Sequence, residues 1–307
     1  MVEELLSPVL DSWPRPLALD FRSYWADHYE PGSSPPFWLT LPETIYEGGR
    51  LGRPALRSDA TVQLLRGQLC LYFGIRILDD LLDGHALRGR LSLLPNLFLL
   101  EGERCFEMVP GLSTTFISTY RDAVRTTLAG IVRVDELHRD PEADVESLLE
   151  AHAHVDAVLS VGTMAALELT GRQGEILRMQ VFFQEMGKAS QILDDICDME
   201  EDLAAGKTNV PLRIALGPSR GGERSLEDIR TSYAAMLNDS WKSAVEEVAE
   251  ECFRRAEEVS ADLRFFPGDK YIAGYRAAIR HALTLPNRTE RVVLGVWRII
   301  PDSTPGR

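Results

Sequence analysis

Cysteine is scarce in this chain. Its four residues, Cys70, Cys105, Cys197 and Cys252, lie far apart and form no CxxC pair. Neither a cysteine-held structural zinc nor a small disulfide scaffold is expected, and thiols used this way suit a reducing cytoplasm. Basic charge is short as well: 33 Lys and Arg against 47 Asp and Glu leave a formal net charge of -14. That excludes non-specific nucleic-acid binding, which needs a basic surface. It also means that any anionic ligand binds only where cations or local basic residues offset the repulsion. Long apolar runs are missing, with no stretch near the ~18 residues of a spanning helix. The opening MVEELLSPVLDSWPRP has acidic residues where a signal peptide carries basic ones, so a soluble, cytoplasmic protein without membrane insertion is expected. Alternating strands, βαβ spacing, repeats of fixed period and low-complexity tracts are all absent.

What remains reads as helix. Apolar residues make up 45% of the 307 and charged residues 26%, an ordinary globular balance that allows a sizeable core. The segments WPRP at 13–16, PGSSPP at 31–36 and YEGGRLGRP at 46–54 punctuate the beginning, so 1–54 is read as short helices and loops. From about Ala55, apolar residues recur at three- and four-residue steps up to Gly84, a plausible stop. Further helices are predicted over about 93–108, 113–135, 141–171, 173–205, 225–261, 268–285 and 289–299, with GPSRGGER at 217–224 as the clearest loop. The expected fold is all-α, a single large helical bundle over 55–300 followed by a flexible tail at 301–307.

Two aspartate clusters stand out, DDLLD (Asp79, Asp80, Asp83) and DDICD (Asp194, Asp195, Asp198). Both fall near the C-terminal ends of predicted helices, where the helix dipole favours cations, and like charges four apart repel. A sequence that accepts this cost twice calls for a reason. Residues four apart on a helix differ by ~40° in direction and ~6 Å in height. Asp79 and Asp83 therefore share a face, as do Asp194, Asp198 and Asp202. Such oxygen clusters suit hard cations, and Mg²⁺ usually shares its octahedral shell with phosphates and water. A single DDxxD is more simply a solvated helix end. Here GIRIL precedes Asp79 and QIL precedes Asp194, and two copies set in apolar helices point to a site. Metal ions would then bridge an acidic wall to an anionic substrate, which answers the charge imbalance.

On these motifs, from about Gly48 to Lys207, the chain resembles the class I isoprenoid synthases, specifically the trans-prenyl diphosphate synthases. The resemblance implies an α-helical fold around a central active-site cavity, commonly a homodimer. It implies Mg²⁺, three ions once diphosphate is bound, with Asp79, Asp83, Asp194 and Asp198 as metal ligands and Asp80 and Asp195 in the same catalytic motifs. Arg88 and Lys207 would hold the allylic diphosphate, with Gln191 beside the second motif. The segment GGRLGRP stands where elongating members carry GGKxxRP, so Arg50 and Arg53 are candidate phosphate contacts.

The departures fall on the site for isopentenyl diphosphate. Tyr72 stands where elongating members usually have His, Arg88-Gly89-Arg90 replaces RRG, and Gly162-Thr163 replaces a Lys-Thr pair. EEDLAAGKTNVPL also resembles the second motif of squalene and phytoene synthases. The expected function is accordingly a terpene synthase, ionising an isoprenyl diphosphate of fifteen or more carbons and capturing the cation internally. The alternatives are a prenyl diphosphate synthase that adds isopentenyl diphosphate and a non-catalytic subunit of the same architecture. Tyr72 and Phe73 either line the pocket, where aromatic faces stabilise a cation, or pack the core. Gly74 and Ile75 occupy chain-length positions and favour a deep pocket. His152 and His154, two apart, point in different directions on a helix and are read as surface or lining residues. Arg276 and Arg280 are either a lid over the diphosphate or ordinary surface ion pairs.

Overall fold

The computed structural model describes residues 2–28, 36–46, 58–82, 89–140, 142–216, 238–263 and 266–284. Among them there is no strand. The helices are α1 (Val2–Ser12), α2 (Arg15–His28), α3 (Phe37–Tyr46), α4 (Asp59–Leu82), α5 (Leu94–Glu107), α6 (Phe116–Arg139), α7 (Val145–Val155), α8 (Val161–Leu169), α9 (Ile176–Ala204), α10 (Val210–Leu216), α11 (Asp239–Ser260) and α12 (Gly268–Thr284). No described helix is long and apolar enough to cross a membrane. The all-α expectation holds. The helix predicted over 289–299 lies outside the described residues.

The chain divides into two compact units, Met1–Leu128 with Ala157–Met179, and Ala129–Asp156 with Gln180–Arg307. In the first unit α4 is the spine. Ser58 caps it by accepting the Thr61 N–H at 3.2 Å. α5 packs along α4 at close range, because glycine faces it at two points. A Cβ on Gly74 would lie 2.9 Å from the Leu99 side chain, and one on Gly102 would lie 3.3 Å from the Gly67 carbonyl. α1 lays its buried stripe of Leu5, Leu6, Val9 and Leu10 toward α4. Phe21 of α2 meets Phe73 edge-on at 5.1 Å and Phe98 at 4.8 Å, and Trp13 meets Phe98 at 4.7 Å. Such edge-to-face contacts add ~0.5–1.5 kcal/mol each to the area they bury.

The predicted helix over 141–171 is broken in the structure. α7 ends at Val155, a 3₁₀ turn covers Asp156–Ser160, and α8 begins at Val161. Within the first unit, Gln68 of α4 supports the break. Its Nε2 donates to the Val158 carbonyl at 3.1 Å and its Oε1 accepts the Gly162 N–H at 2.6 Å. The side chain thus satisfies backbone groups that a continuous helix would have paired internally.

In the second unit, Asp144 caps α7 through the Ser147 N–H at 2.6 Å, and Asn238 caps α11 through the Trp241 N–H at 3.0 Å. α10 packs against α7 and α11, and α11 packs against α12. The Trp241 indole N–H donates to the Pro211 carbonyl at 2.9 Å, which fixes α11 to α10.

Candidate active site

In the first unit, the end of α4 presents two aspartates of opposite character. Asp79 is half-buried, whereas Asp80 is only 1% exposed. The Asp80 carboxylate accepts the Tyr24 hydroxyl at 2.5 Å and pairs with Arg76 one turn earlier at 3.0 Å. Arg76 also reaches Asp79 at 3.6 Å. Burial, and then the hydrogen bond to Asp80, push the Tyr24 phenol well above its ordinary value. Arg76 and Tyr24 thus offset the cost of two carboxylates at a helix C-terminus. Asp83 and Arg88, together with Arg50 and Arg53, lie outside the described residues.

The neighbouring positions are packed. Phe73 is fully buried, with Phe21, Trp25 and Phe98 around it, and is a core residue. Tyr72 is half-buried and lies 4.7 Å from the Trp38 ring. Gly74 serves the approach of α5, with Leu99 filling the space a side chain would take. At Gly162, a Cβ would lie 2.9 Å from Gln68 Oε1 and 3.1 Å from Pro42. The space a side chain at Gly162 would need is thus already filled.

In the second unit, α9 carries the other motif. Asp194 and Asp198 are exposed and Asp202 is half-buried, as expected for one helix face. Asp195 points away from that row and is 2% exposed. Its oxygens accept Gln191 Nε2 at 3.0 Å and the Val210 N–H at 3.0 Å. Burial raises the Asp195 carboxyl well above the usual carboxylate range. Gln191, a substrate-contact candidate from the sequence, therefore orients Asp195 and reaches Asp194 at 3.5 Å.

The chain after α9 is folded to place Lys207. Gly206 has φ +76°, and the Lys207 N–H returns to the Asp202 carbonyl at 2.8 Å, a left-handed helix stop that glycine makes without strain. Lys207 follows directly and is half-buried. Asn209 then donates to the Asp195 carbonyl at 2.9 Å and to the Asp202 carboxylate at 2.8 Å, while its Oδ1 caps α10 through the Leu212 N–H at 3.2 Å. Arg213, also buried, donates to four carbonyls: Thr208 at 3.1 Å and Leu137, Asp140 and Ala143 each at 2.6 Å. A cation at the end of α6 answers the carbonyls exposed there and the helix dipole. Nothing in local sequence spacing marks Arg213 for this role, because three of its four partners, Leu137, Asp140 and Ala143, lie 70 or more residues away.

His152 is not a surface residue. It is 3% exposed beside His138, with ring centroids 5.6 Å apart, while His154 is exposed. Burial drops the His152 imidazole to about 3. Arg276 pairs with Glu250 at 2.8 Å and Glu257 at 3.1 Å, and Arg280 with Glu246 at 2.6 Å and Glu250 at 3.2 Å, so both are engaged in ion pairs.

No protein-family model matches the sequence, and no curated protein sequence matches it. Solved structures do match. Geranylgeranyl pyrophosphate synthase from Lactobacillus brevis aligns with TM-score 0.62 at 18% identity, covering 92% of this chain and 95% of its own. Octaprenyl pyrophosphate synthase from Helicobacter pylori aligns with TM-score 0.62 at 14% identity, covering 92% of this chain and 100% of its own. The chain has the isoprenoid synthase fold. A third structure of that fold is the geranylgeranyl pyrophosphate synthase from Corynebacterium glutamicum complexed with isoprenyl diphosphate and magnesium. It has TM-score 0.54 and 16% identity, and covers 92% of this chain and 97% of its own. On this isoprenoid synthase scaffold, Asp194 and Asp198 offer exposed carboxylates one turn apart, a donor set that fits Mg²⁺.

Proposed function

We propose that the chain is a Mg²⁺-dependent enzyme that ionises an allylic isoprenyl diphosphate and joins the resulting cation to isopentenyl diphosphate. The observation that carries this is the exposed row Asp194 and Asp198 on α9, followed by Lys207 directly after the turn at Gly206. The sequence alone favours a terpene synthase. The likeness of the fold to geranylgeranyl and octaprenyl pyrophosphate synthases moves the weight to chain elongation.

In this reading Asp79, Asp83, Asp194 and Asp198 hold the ions, and Arg88 and Lys207 grip the diphosphate. Bound magnesium supplies the charge that stabilises the departing diphosphate. The carbon–oxygen bond would break with its electron pair on the diphosphate, and the basic side chains would stabilise that charge as it develops. The alkene of isopentenyl diphosphate would supply the electron pair of the new carbon–carbon bond, and loss of a proton from the adjacent carbon to the released diphosphate would restore an alkene. Asp80 and Asp195 keep the motif helices in place from below rather than touching substrate. The number of ions, a homodimeric assembly and Arg50 and Arg53 as acceptor contacts belong to the same reading.

A terpene synthase remains the second reading because of Gly162. Gln68 and Pro42 crowd the position at which elongating members place a lysine, and Tyr72 lies against Trp38 where they place histidine. The test is incubation with Mg²⁺ and geranyl, farnesyl or geranylgeranyl diphosphate, each with and without isopentenyl diphosphate, with products read by mass spectrometry. Longer diphosphates that require isopentenyl diphosphate are expected. Hydrocarbons or alcohols from one substrate alone would establish the second reading, and no turnover of any substrate would leave a non-catalytic subunit.

A further inference from the structure

Three helices of the second unit bring His138, His152 and Asp195 to one buried point. They are 7%, 3% and 2% exposed, and one ligand atom of each lies within 4.8 Å of the others. His138 comes from the last turn of α6, His152 from the last turn of α7 and Asp195 from the middle of α9. None is a neighbour of another in sequence, so the cluster is made by the tertiary fold.

Its chemistry is unusual for a protein interior. The Asp195 oxygens are met by neutral donors, the Gln191 amide and the Val210 N–H, and among the described residues no ion pair reaches them. The Nε2 of His152 is buried and makes no hydrogen bond. A buried carboxylate and a buried ring nitrogen each lose hydration, a cost usually offset by a hydrogen-bonding or charged partner. One divalent ion among them would supply both.

The Asp195 carboxylate and the backbone at His138 are fixed by contacts, as groups around a metal site usually are. Asp195 is held by Gln191 and Val210. The backbone at His138 is held from both sides. Its carbonyl accepts the Thr208 N–H at 2.9 Å and the Thr208 hydroxyl at 3.2 Å, and Arg213 secures the carbonyls of Leu137 and Asp140. A tetrahedral shell with bonds of ~2.1 Å separates its donors by roughly 3.4 Å. From separations of up to 4.8 Å the three groups need to close by at most about 1.4 Å, within the reach of side-chain rotation.

The geometry points to a second, buried metal site at His138, His152 and Asp195, which takes a borderline transition-metal ion such as Zn²⁺, with water completing the shell. Two imidazoles and one carboxylate suit zinc, cobalt or nickel, whereas Mg²⁺ prefers all-oxygen ligands. The site thus differs in burial and in preference from the exposed row that includes Asp194 and Asp198. It stands whether or not the proposed diphosphate chemistry does.

The test uses the full chain, stripped with a chelator and then kept in millimolar Mg²⁺ to saturate oxygen-only sites. Titration with Co²⁺ and competition by Zn²⁺ are followed by visible d–d absorption, with metal per chain counted by mass spectrometry. One zinc per chain is expected. His138→Gln and His152→Gln should each weaken it at least tenfold, and Asp194→Asn should leave it unchanged. No stoichiometric zinc, binding that survives both histidine changes, or binding lost in Asp194→Asn would overturn the assignment. If the histidine variants do not fold, X-ray absorption on zinc-loaded wild-type chain decides: two imidazole ligands support the site, and an all-oxygen shell refutes it.

Discussion

Asp194 and Asp195 are adjacent in the chain and opposite in environment: the first carboxylate is exposed, the second is 2% exposed and held by Gln191 and the Val210 N–H. The same division recurs at Asp79 and Asp80, where Tyr24 and Arg76 take the buried member. Each motif therefore sets a more exposed carboxylate directly beside a buried one that anchors the helix.

Asparagine substitution separates the two roles. Asp194→Asn should abolish most turnover while leaving stability within about 0.5 kcal/mol, as surface changes usually do. Asp195→Asn offers one acceptor to two donors, and an unmet buried group costs about 1–3 kcal/mol. Denaturant unfolding and steady-state turnover, measured on both variants, should move in opposite order.

Gly206 holds φ +76° at the end of α9. An alanine there carries a Cβ into the left-handed region, at a cost of roughly 1–2 kcal/mol. Gly206→Ala should lower the melting temperature and, because Lys207 follows directly, raise KM for the diphosphate substrate more than it lowers kcat.

The packing at Gly162 gives a third expectation. A methyl group 2.9 Å from Gln68 Oε1 and 3.1 Å from Pro42 overpacks the site. Gly162→Ala should destabilise the chain by roughly 1–3 kcal/mol, measured by denaturant unfolding.

Two kinds of residue separate what was legible in the sequence from what was not. The outward row was legible, because Asp194, Asp198 and Asp202 follow helical spacing and that spacing is local. Asp80 and Asp195 look identical to their neighbours on paper, since what buries them comes from Tyr24 in one case and Val210 in the other. The helix break at Asp156–Ser160 was hidden for the same reason: its support is Gln68, 90 residues from Val158. His152 was compared with His154, two residues on, while its true neighbour His138 arrives from another helix. Gly74 reads as an opening in the sequence, but Leu99 of α5 fills it.

Alkaline pH offers a further check. Tyr275 on α12 is buried, and burial raises its phenol above the ordinary value of 10.0. A raised native pKa means stability that is complete below the unfolded value and is lost as pH climbs above it. Unfolding free energy should fall above about pH 10, and Tyr275→Phe should flatten part of that slope. Tyr24 and Tyr120, raised mainly by burial, add slopes of the same sign.

Arg213 ends three segments on one planar group: the last turn of α6, the stretch before α7 and the turn that precedes α10. Segments latched by a single guanidinium cannot fray one at a time. Their amides should exchange with solvent as one cooperative block, slower than the ends of surface helices. A mount of this kind is preorganised, so any motion that admits a ligand or releases a product has to be sought in parts of the chain this latch does not hold.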